Sequence, residues 1–197
     1  MTSDSFTTLL DRNRSFAEQF KAGNLPIRPR MSTIILTCVD SRVDPAHIFG
    51  LGLGDAIVMR NAGGRITPEV MRDLAILSVL TANMSGPSTM QPELIVMHHT
   101  DCGMCRLANA AIQRQVAERL GVGVDEAAAM AITDPTTSVQ DDIEQLRQTP
   151  ETPDQLIVSG FVYDVKNGTI NQVVPPAPIR TTTGRPANTT SPAMLAG

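Results

Sequence analysis

Two short segments of the sequence concentrate side chains that can bind a metal ion. The first, CVDSR, contains Cys38, and the second, HHTDCG, contains His99 and Cys102 three residues apart. Two thiolates and one imidazole are suitable ligands for Zn²⁺, and three protein ligands leave the fourth tetrahedral position free for water. Because an open position is typical of a catalytic zinc site, these residues favour metal-dependent chemistry on water.

A carboxylate and a guanidinium follow Cys38 at two-residue intervals, as Asp40 and Arg42. If the chain stays extended there, all three side chains leave it on the same face. An isolated Asp–Arg pair is usually a surface ion pair. Next to a metal ligand, the same pair could instead handle a proton during catalysis.

The segments around these residues predict an α/β fold. Four apolar, β-branched runs predict strands at residues 32–40, 56–60, 93–99 and 156–165. Helical patterns at residues 68–84, from just after Asp101 to Gly121, and from Ser138 onward separate or follow them. This alternation predicts a mainly parallel four-stranded sheet with flanking helices. Both motifs then lie at the carboxyl ends of strands, where open α/β sheets place their ligand sites.

Three regions are expected along the chain. Residues 1–30 form an N-terminal helical arm, and residues 31–174 form the zinc-binding α/β catalytic domain. Residues 175–197 are rich in Pro and Thr and poor in bulky apolar groups, which predicts a disordered tail. Asn167 and Gly168 predict a hairpin that adds an antiparallel edge strand to the sheet.

Composition argues against several classes of partner. The net charge is −4, and basic residues are not clustered, so nucleic-acid binding is not expected. No run of 18 apolar residues or signal-peptide pattern is present, and we therefore expect a cytoplasmic protein that does not bind a membrane. Three cysteines in such a chain favour metal or thiol chemistry over a disulfide framework.

Together, the two motifs resemble those of the β-carbonic anhydrases, C-x-D-x-R and H-x-x-C. The resemblance extends to the segment RNAGG at residues 60–64 and covers residues 34–165. Either short motif alone would be weak, but all three segments occur in order and with spacing similar to that of the family. The resemblance implies a small-molecule lyase that reversibly hydrates carbon dioxide to bicarbonate through a zinc-bound hydroxide.

By the same resemblance, Cys38, His99 and Cys102 are the zinc ligands, and Asp40 and Arg42 are the catalytic dyad. Zinc bound by two thiolates is formally neutral and acidifies water less than a site of three imidazoles, so a helper for the proton is useful. Arg42 would hold Asp40 by a bidentate pair. In some family members a closed state exists, in which the residue corresponding to Asp40 is itself a metal ligand.

Four further residues, two glycines and two histidines, need a separate interpretation. The backbone amides of Gly63 and Gly64 could bind a bicarbonate oxygen, or the two glycines could simply form a tight turn between a strand and a helix. His98 points away from His99 along the strand and is expected to be packed or hydrogen-bonded rather than a ligand. His47 is expected at the surface or in an interface.

Cys105 leaves other functions open, because Cys102 and Cys105 form a C-x-x-C motif. One alternative is a thiol oxidoreductase. Another is a closed structural or regulatory zinc module in which Cys105 is the fourth ligand. Within the enzyme class, the same zinc site could hydrolyse carbonyl sulfide or carbon disulfide, and the motifs do not separate these substrates.

The predicted helix at residues 68–84 has apolar side chains nearly all round, which is typical of a buried helix. This pattern predicts a homodimer, and the resemblance implies dimers or larger homo-oligomers with sites at the dimer interface. The sequence does not distinguish a dimer from a tetramer.

Overall fold

A five-stranded sheet forms the centre of the protein in the computed structural model, which describes residues 4–83 and 91–180. The strands are β1 (Thr33–Cys38), β2 (Ala56–Asn61), β3 (Glu93–His99), β4 (Ile157–Tyr163) and β5 (Ile170–Pro178). Their order is β2-β1-β3-β4-β5; the first four are parallel and β5 is antiparallel to β4. The predicted α/β sheet with an antiparallel edge strand is therefore confirmed.

Six α-helices and two 3₁₀ helices lie around the sheet in the described part of the chain. The α-helices are α1 (Asp4–Glu18), α2 (Pro45–Phe49), α3 (Pro68–Ala82), α4 (Ala110–Leu120), α5 (Val124–Ala129) and α6 (Pro135–Gln148). The 3₁₀ helices are Ala62–Gly64 and Gly103–Ala108. Three α-helices begin with proline directly after a capping side chain, because proline fits the first helical turn, where its missing N–H needs no partner.

The main core lies between the sheet and helices α3 and α6. Gly160 of β4 allows α6 to pack closely, since a Cβ at this position would lie 2.4 Å from Val139 and 2.9 Å from Ile143. The central strands β1 and β3 are almost entirely buried, as expected for strands of a parallel sheet. Because β1 and β3 are packed on both faces, their carboxyl ends are held in place within the core.

Several predicted helix boundaries were wrong. The helix predicted from just after Asp101 to Gly121 is two elements, because Asn109 leaves the helical conformation and its side chain caps α4 by accepting from Ala111 N–H. Helix α6 begins at Pro135 rather than at Ser138, since the Asp134 side chain accepts hydrogen bonds from the first turn. Local capping side chains therefore decided both starts.

The proposed beginning of the C-terminal tail at residue 175 was too early. Strand β5 continues to Pro178, and Ile179 is buried. Arg180 then donates hydrogen bonds to the carbonyl oxygens of Thr149 and Thr152. Prolines are tolerated here because β5 is an edge strand, in which some N–H groups need no ladder partner. Residues 181–197 lie outside the described part, and their disorder stays a prediction.

Helix α3 is not buried all round within one chain. Val70 and Leu74 are buried against the sheet, whereas Ile76, Val79 and Leu80 are exposed. The predicted last residue, at position 84, lies outside the described residues. None of the described helices is both long and apolar enough to cross a membrane.

Candidate metal centre

The carboxyl ends of the neighbouring strands β1 and β3 bring the two sequence motifs together. Cys38 is the last residue of β1, and His99 is the last residue of β3. Both strands run parallel in register, with Thr37 opposite Met97. Residues separated by about sixty positions in the sequence therefore reach the same edge of the sheet.

A tight turn, and not a helical turn as the spacing suggested, joins His99 to Cys102. Asp101 adopts a left-handed conformation with φ 54°, and Cys102 is extended before the 3₁₀ helix begins. Thr100 fixes the turn, because its N–H donates to Tyr163 O and its hydroxyl bonds Asp164. The change of direction at Asp101 brings the Cys102 side chain back towards His99.

Cys38, His99 and Cys102 form a buried group that could hold a metal ion. One donor atom from each lies within 4.8 Å of the others, and the two sulfurs are 3.9 Å apart. His99 Nδ1 lies 2.9 Å from Thr100 O, so an Nδ1–H donor leaves a lone pair on Nε2. His99 Nε2 is buried and has no hydrogen-bond partner among the described residues. A buried imidazole nitrogen with this backbone support fits a metal ligand.

The two buried cysteines are hydrogen-bonded to each other, with 3.9 Å between their sulfurs. A hydrogen bond from Cys102 lowers the pKa of Cys38 strongly, and the backbone N–H groups of Asp40 and Gly63 lower it further. The pKa of Cys102 is raised, because ionisation would break its bond to Cys38 and place a second negative charge nearby. A divalent cation between the sulfurs would remove this conflict by stabilising both thiolates.

Asp40 and Arg42 form the predicted bidentate pair beside this group. Arg42 Nε donates to Asp40 Oδ1 at 3.0 Å, and Nη2 donates to Oδ2 at 2.8 Å. The pair does not arise from an extended chain, since Arg42 N–H also donates to Asp40 Oδ1 and closes a turn. These bonds hold the pKa of Asp40 well below its usual range, so the carboxylate is ionised at neutral pH.

Two more residues hold the dyad, and the sequence analysis assigned neither a role. Asp101 accepts from Arg42 through both its carboxylate and its carbonyl oxygen. Arg60 donates to the carbonyl oxygens of Cys38 and Asp40, at 3.0 and 2.8 Å. Arg60 belongs to the RNAGG segment, which was the signal in the sequence; Asp101 was visible only as the residue before Cys102.

Gly63 and Gly64 form a buried turn against the end of β1. Their φ values are 89° and 71°, and a Cβ on Gly64 would lie only 2.7 to 2.9 Å from the backbone of Thr37 and Cys38. Asn61 closes the turn by bonding both the N–H and the carbonyl of Arg65. The tight turn is thus present, and it places Gly63 N–H towards the Cys38 sulfur.

Beneath this turn lies a buried polar cluster that the sequence analysis missed. Asp142 of α6 is fully buried and accepts from Arg65 Nε and from Ile66 N–H. His98 Nε2 lies 3.2 Å from both Asp142 Oδ2 and Gly64 O. His98 is therefore hydrogen-bonded away from the candidate metal group, as predicted. The partner, Asp142, follows from helix packing and has no local signal in the sequence.

Cys105 and His47 lie outside the candidate metal group. Cys105 is exposed, although its backbone N–H bonds Cys102 O across the 3₁₀ turn. His47 is largely exposed in α2, with Nδ1 3.2 Å from Asp44 Oδ2. The group found among residues 4–83 and 91–180 consists of three donors, so the structure does not add Cys105 as a fourth.

A parallel α/β sheet with a buried Cys-His-Cys group at its carboxyl edge defines an α/β protein with a candidate metal centre. The family model for carbonic anhydrase matches residues 33–170. The chain is 31% identical over 166 residues to β-carbonic anhydrase 1 of Mycobacterium tuberculosis, covering 84% of this chain and 96% of that protein. The chain therefore belongs to the β-carbonic anhydrase family.

Two other relatives show the breadth of the family. Carbonic anhydrase from Streptococcus mutans, a solved structure, is 36% identical with a TM-score of 0.73 and covers 88% of this chain and 99% of its own. The carbon disulfide hydrolase of Saccharolobus solfataricus is 31% identical over 157 residues, covering 67% of this chain and 72% of that protein. The similarity thus includes proteins with two different named activities.

Proposed function

We propose that the protein is a zinc-dependent carbonic anhydrase that reversibly converts carbon dioxide and water to bicarbonate. The observation that carries the proposal is the buried Cys38, His99 and Cys102 group, whose His99 Nε2 has no other partner among the described residues. The similarity to β-carbonic anhydrase 1 over nearly the whole length of that protein supports the same reaction.

The donor set suits Zn²⁺, because thiolate and imidazole are its usual protein ligands and three of them leave one position open. Bound there, zinc supplies Lewis-acid activation of a water molecule. Cys38 and Cys102 bind it as thiolates, and Thr100 O keeps the His99 Nε2 lone pair directed to the group.

Asp40 acts on the proton of the attacking water. Oδ1 accepts two hydrogen bonds from Arg42 and Oδ2 accepts one, so Oδ2 keeps a free lone pair. With it, Asp40 can accept a hydrogen bond from the nucleophile and orient it towards carbon. Its lowered pKa keeps it an acceptor across the neutral range. Arg42 restrains Asp40 from turning towards the metal, which would give the closed state.

The backbone amides of Gly63 and Gly64 are proposed to bind an oxygen of bicarbonate. The proposal is supported by their location, since both glycines lie in a turn against the end of β1, next to Cys38. Gly63 N–H already faces the Cys38 sulfur, so its first role is to stabilise that thiolate. A bound bicarbonate oxygen would share this donor or use Gly64 N–H.

Hydrolysis of carbonyl sulfide or carbon disulfide is the second candidate function. It is favoured by the similarity to carbon disulfide hydrolases, because these substrates are also linear molecules attacked at carbon by activated water. The deciding experiment is stopped-flow carbon dioxide hydration beside sulfide release from both sulfur substrates, on one zinc-loaded preparation. Faster turnover of a sulfur substrate than of carbon dioxide would reverse the order of the two proposals.

The metal assignment is tested by elemental analysis of Cys38→Ser and His99→Ala beside the wild type. We expect about one zinc per wild-type chain and loss of most metal from both variants, because each removes one of three ligands. Full zinc in both variants would contradict the assignment.

Two alternatives from the sequence receive less support. A closed zinc module requires Cys105 as a ligand, and a thiol oxidoreductase requires Cys102 and Cys105 to exchange with a substrate disulfide. Cys102 is buried beside Cys38 with a raised pKa, whereas an attacking thiol needs a lowered pKa and access.

We also propose a homodimer or higher homo-oligomer, supported by the exposed apolar face of α3. A cytoplasmic location stays a prediction.

A further inference from the structure

Arg42 is shared between two carboxylates. While Nε and Nη2 hold Asp40, Nη1 donates to Asp101 Oδ2 at 2.7 Å and Nη2 donates to Asp101 O at 2.9 Å. The Arg42 guanidinium is thus held on one side by Asp40, in the turn that contains Arg42, and on the other by Asp101, between His99 and Cys102. A planar guanidinium with donors to two partners loses most of its freedom to rotate.

The backbone of Asp101 has its own requirement, separate from that of its side chain. With φ 54°, residue 101 is in the left-handed region, which aspartate and asparagine tolerate better than most residues and glycine adopts freely. Glycine would therefore satisfy the turn between the two candidate ligands. It would not supply the carboxylate that binds Arg42 Nη1.

We propose that Asp101 is a positioning residue for the proposed hydration reaction: its carboxylate orients the Arg42 guanidinium, which in turn holds Asp40 in its working position. The inference rests on the proposed function, whereas the Arg42–Asp101 contact is observed directly. Asp101 acts on Asp40 only through Arg42.

Exposure separates this role from a general contribution to stability. The side chains of Asp101 and Arg42 are 66% and 46% exposed. Ion pairs at such exposure contribute little to folding, since water solvates the separated charges well. Removing the Asp101 carboxylate should therefore change the orientation of Arg42 much more than it changes the stability of the fold.

Three substitutions of Asp101 separate the contribution of its backbone conformation from that of its carboxylate. Asp101→Asn keeps the backbone preference and one neutral acceptor, Asp101→Gly keeps only the backbone freedom, and Asp101→Ala lacks both. Each would be measured for zinc content, thermal midpoint, kcat and KM. Exchange of the Arg42 Nε–H would be followed by NMR, with the signal assigned by its loss in Arg42→Lys.

In Asp101→Asn and Asp101→Gly, whose backbones suit the turn, we expect unchanged zinc and KM, with kcat reduced about tenfold in Asp101→Gly and less in Asp101→Asn, because misorientation of a catalytic pair slows the chemical step. Exchange of the Arg42 Nε–H should accelerate in the same order. Asp101→Ala should be at least as slow as Asp101→Gly. The matched control is Asp154→Asn, since Asp154 is 65% exposed and pairs with Arg180, which also bonds backbone carbonyls. It should leave every measurement at the wild-type value.

Two results would overturn the proposal. If only Asp101→Ala is impaired, the turn and not the carboxylate matters. If kcat and Arg42 exchange are unchanged in all three variants, Asp101 does not position the dyad. Should the wild type fail to hydrate carbon dioxide, the proposed function fails, but faster Arg42 Nε–H exchange in Asp101→Gly would still establish the anchoring contact.

Discussion

At the scale of single residues, Asp40 is the side chain on which the proposed mechanism depends. It accepts three hydrogen bonds from Arg42, two from the guanidinium and one from the backbone N–H. All three bonds come from Arg42, and none comes from the candidate metal ligands Cys38, His99 and Cys102. Proton handling and metal binding should therefore be separable by mutation.

For Asp40→Asn, we expect zinc content to stay at the wild-type value while turnover falls on the order of 100-fold, the usual size of a general-base contribution. The amide keeps the shape of the side chain but is a poor proton acceptor. Zinc analysis and stopped-flow hydration between pH 6 and 9 measure the two effects. Normal turnover over that range would refute the role of Asp40.

Cys105 tests which zinc site the protein has. It is exposed and lies outside the group formed by Cys38, His99 and Cys102. We expect Cys105→Ser to keep both zinc content and turnover, because a residue outside the group contributes nothing to metal affinity. Cys102→Ser is the matched comparison and should lose the metal. Weakened zinc binding in Cys105→Ser would instead support the closed structural module.

At the scale of elements, the end of β1 is set by the turn that follows β2. Gly64 lies so close to the backbone of Thr37 and Cys38 that a side chain there would displace the strand end. The position of the Cys38 sulfur thus depends on a glycine 26 residues further along the chain.

A comparison of two glycine substitutions isolates this contact. Gly64 and Gly121 have φ values of 71° and 70°, but a Cβ on Gly121 would meet nothing within 4 Å. Alanine should cost about 1–2 kcal/mol of unfolding free energy at either site through left-handed strain. At Gly64 we expect about 1–3 kcal/mol more from overpacking, together with reduced zinc affinity. Urea unfolding and zinc titration measure both, and equal losses at the two sites would contradict the close approach.

The buried Asp142 joins α6 to the turn and to β3. It accepts bonds from Arg65 and Ile66 and lies against His98. Removing the buried member of such a pair typically costs about 3–5 kcal/mol. Here the loss leaves Ile66 N–H and His98 buried without this acceptor, and the half-buried Arg65 unpaired. We expect a loss of this size for Asp142→Ala in urea unfolding. The neighbouring Asp141 is exposed, and Asp141→Ala should be near neutral; similar losses for both would argue against the cluster.

At the scale of the whole molecule, apolar side chains remain exposed on two elements. Helix α3 exposes Ile76, Val79 and Leu80, and no residue of α1 is buried although α1 includes Phe6 and Phe16. Exposed apolar groups collected on one helix are typical of an interface. The proposed oligomer would cover them.

We expect Val79→Asp to shift the protein towards monomer in analytical ultracentrifugation, because burying a carboxylate in an apolar interface is strongly unfavourable. Val79 is 61% exposed in the single chain, so the substitution should not disturb the monomer fold. Val124→Asp is the control, since Val124 is also an exposed valine, at the start of α5, where an acidic residue is favourable. An unchanged oligomeric state in Val79→Asp would remove α3 from the interface.

The sequence by itself determined the sheet class, the four parallel strands and the two motifs at the ends of β1 and β3. These follow from local patterns: buried parallel strands are continuous apolar runs, and metal-binding side chains are recognised by type and spacing. The resemblance of CVDSR to the family motif also predicted the Asp40–Arg42 pair, although the pair forms in a turn and not in an extended chain.

The tertiary structure decided everything that depends on distant residues or on backbone conformation. The left-handed turn at Asp101 replaces the predicted helical turn, and the extension of β5 to Pro178 depends on pairing with β4. Asp142 reaches the site only because α6 packs on the sheet through Gly160. Local patterns do not encode such contacts, since each requires two segments far apart in sequence to meet in the folded core.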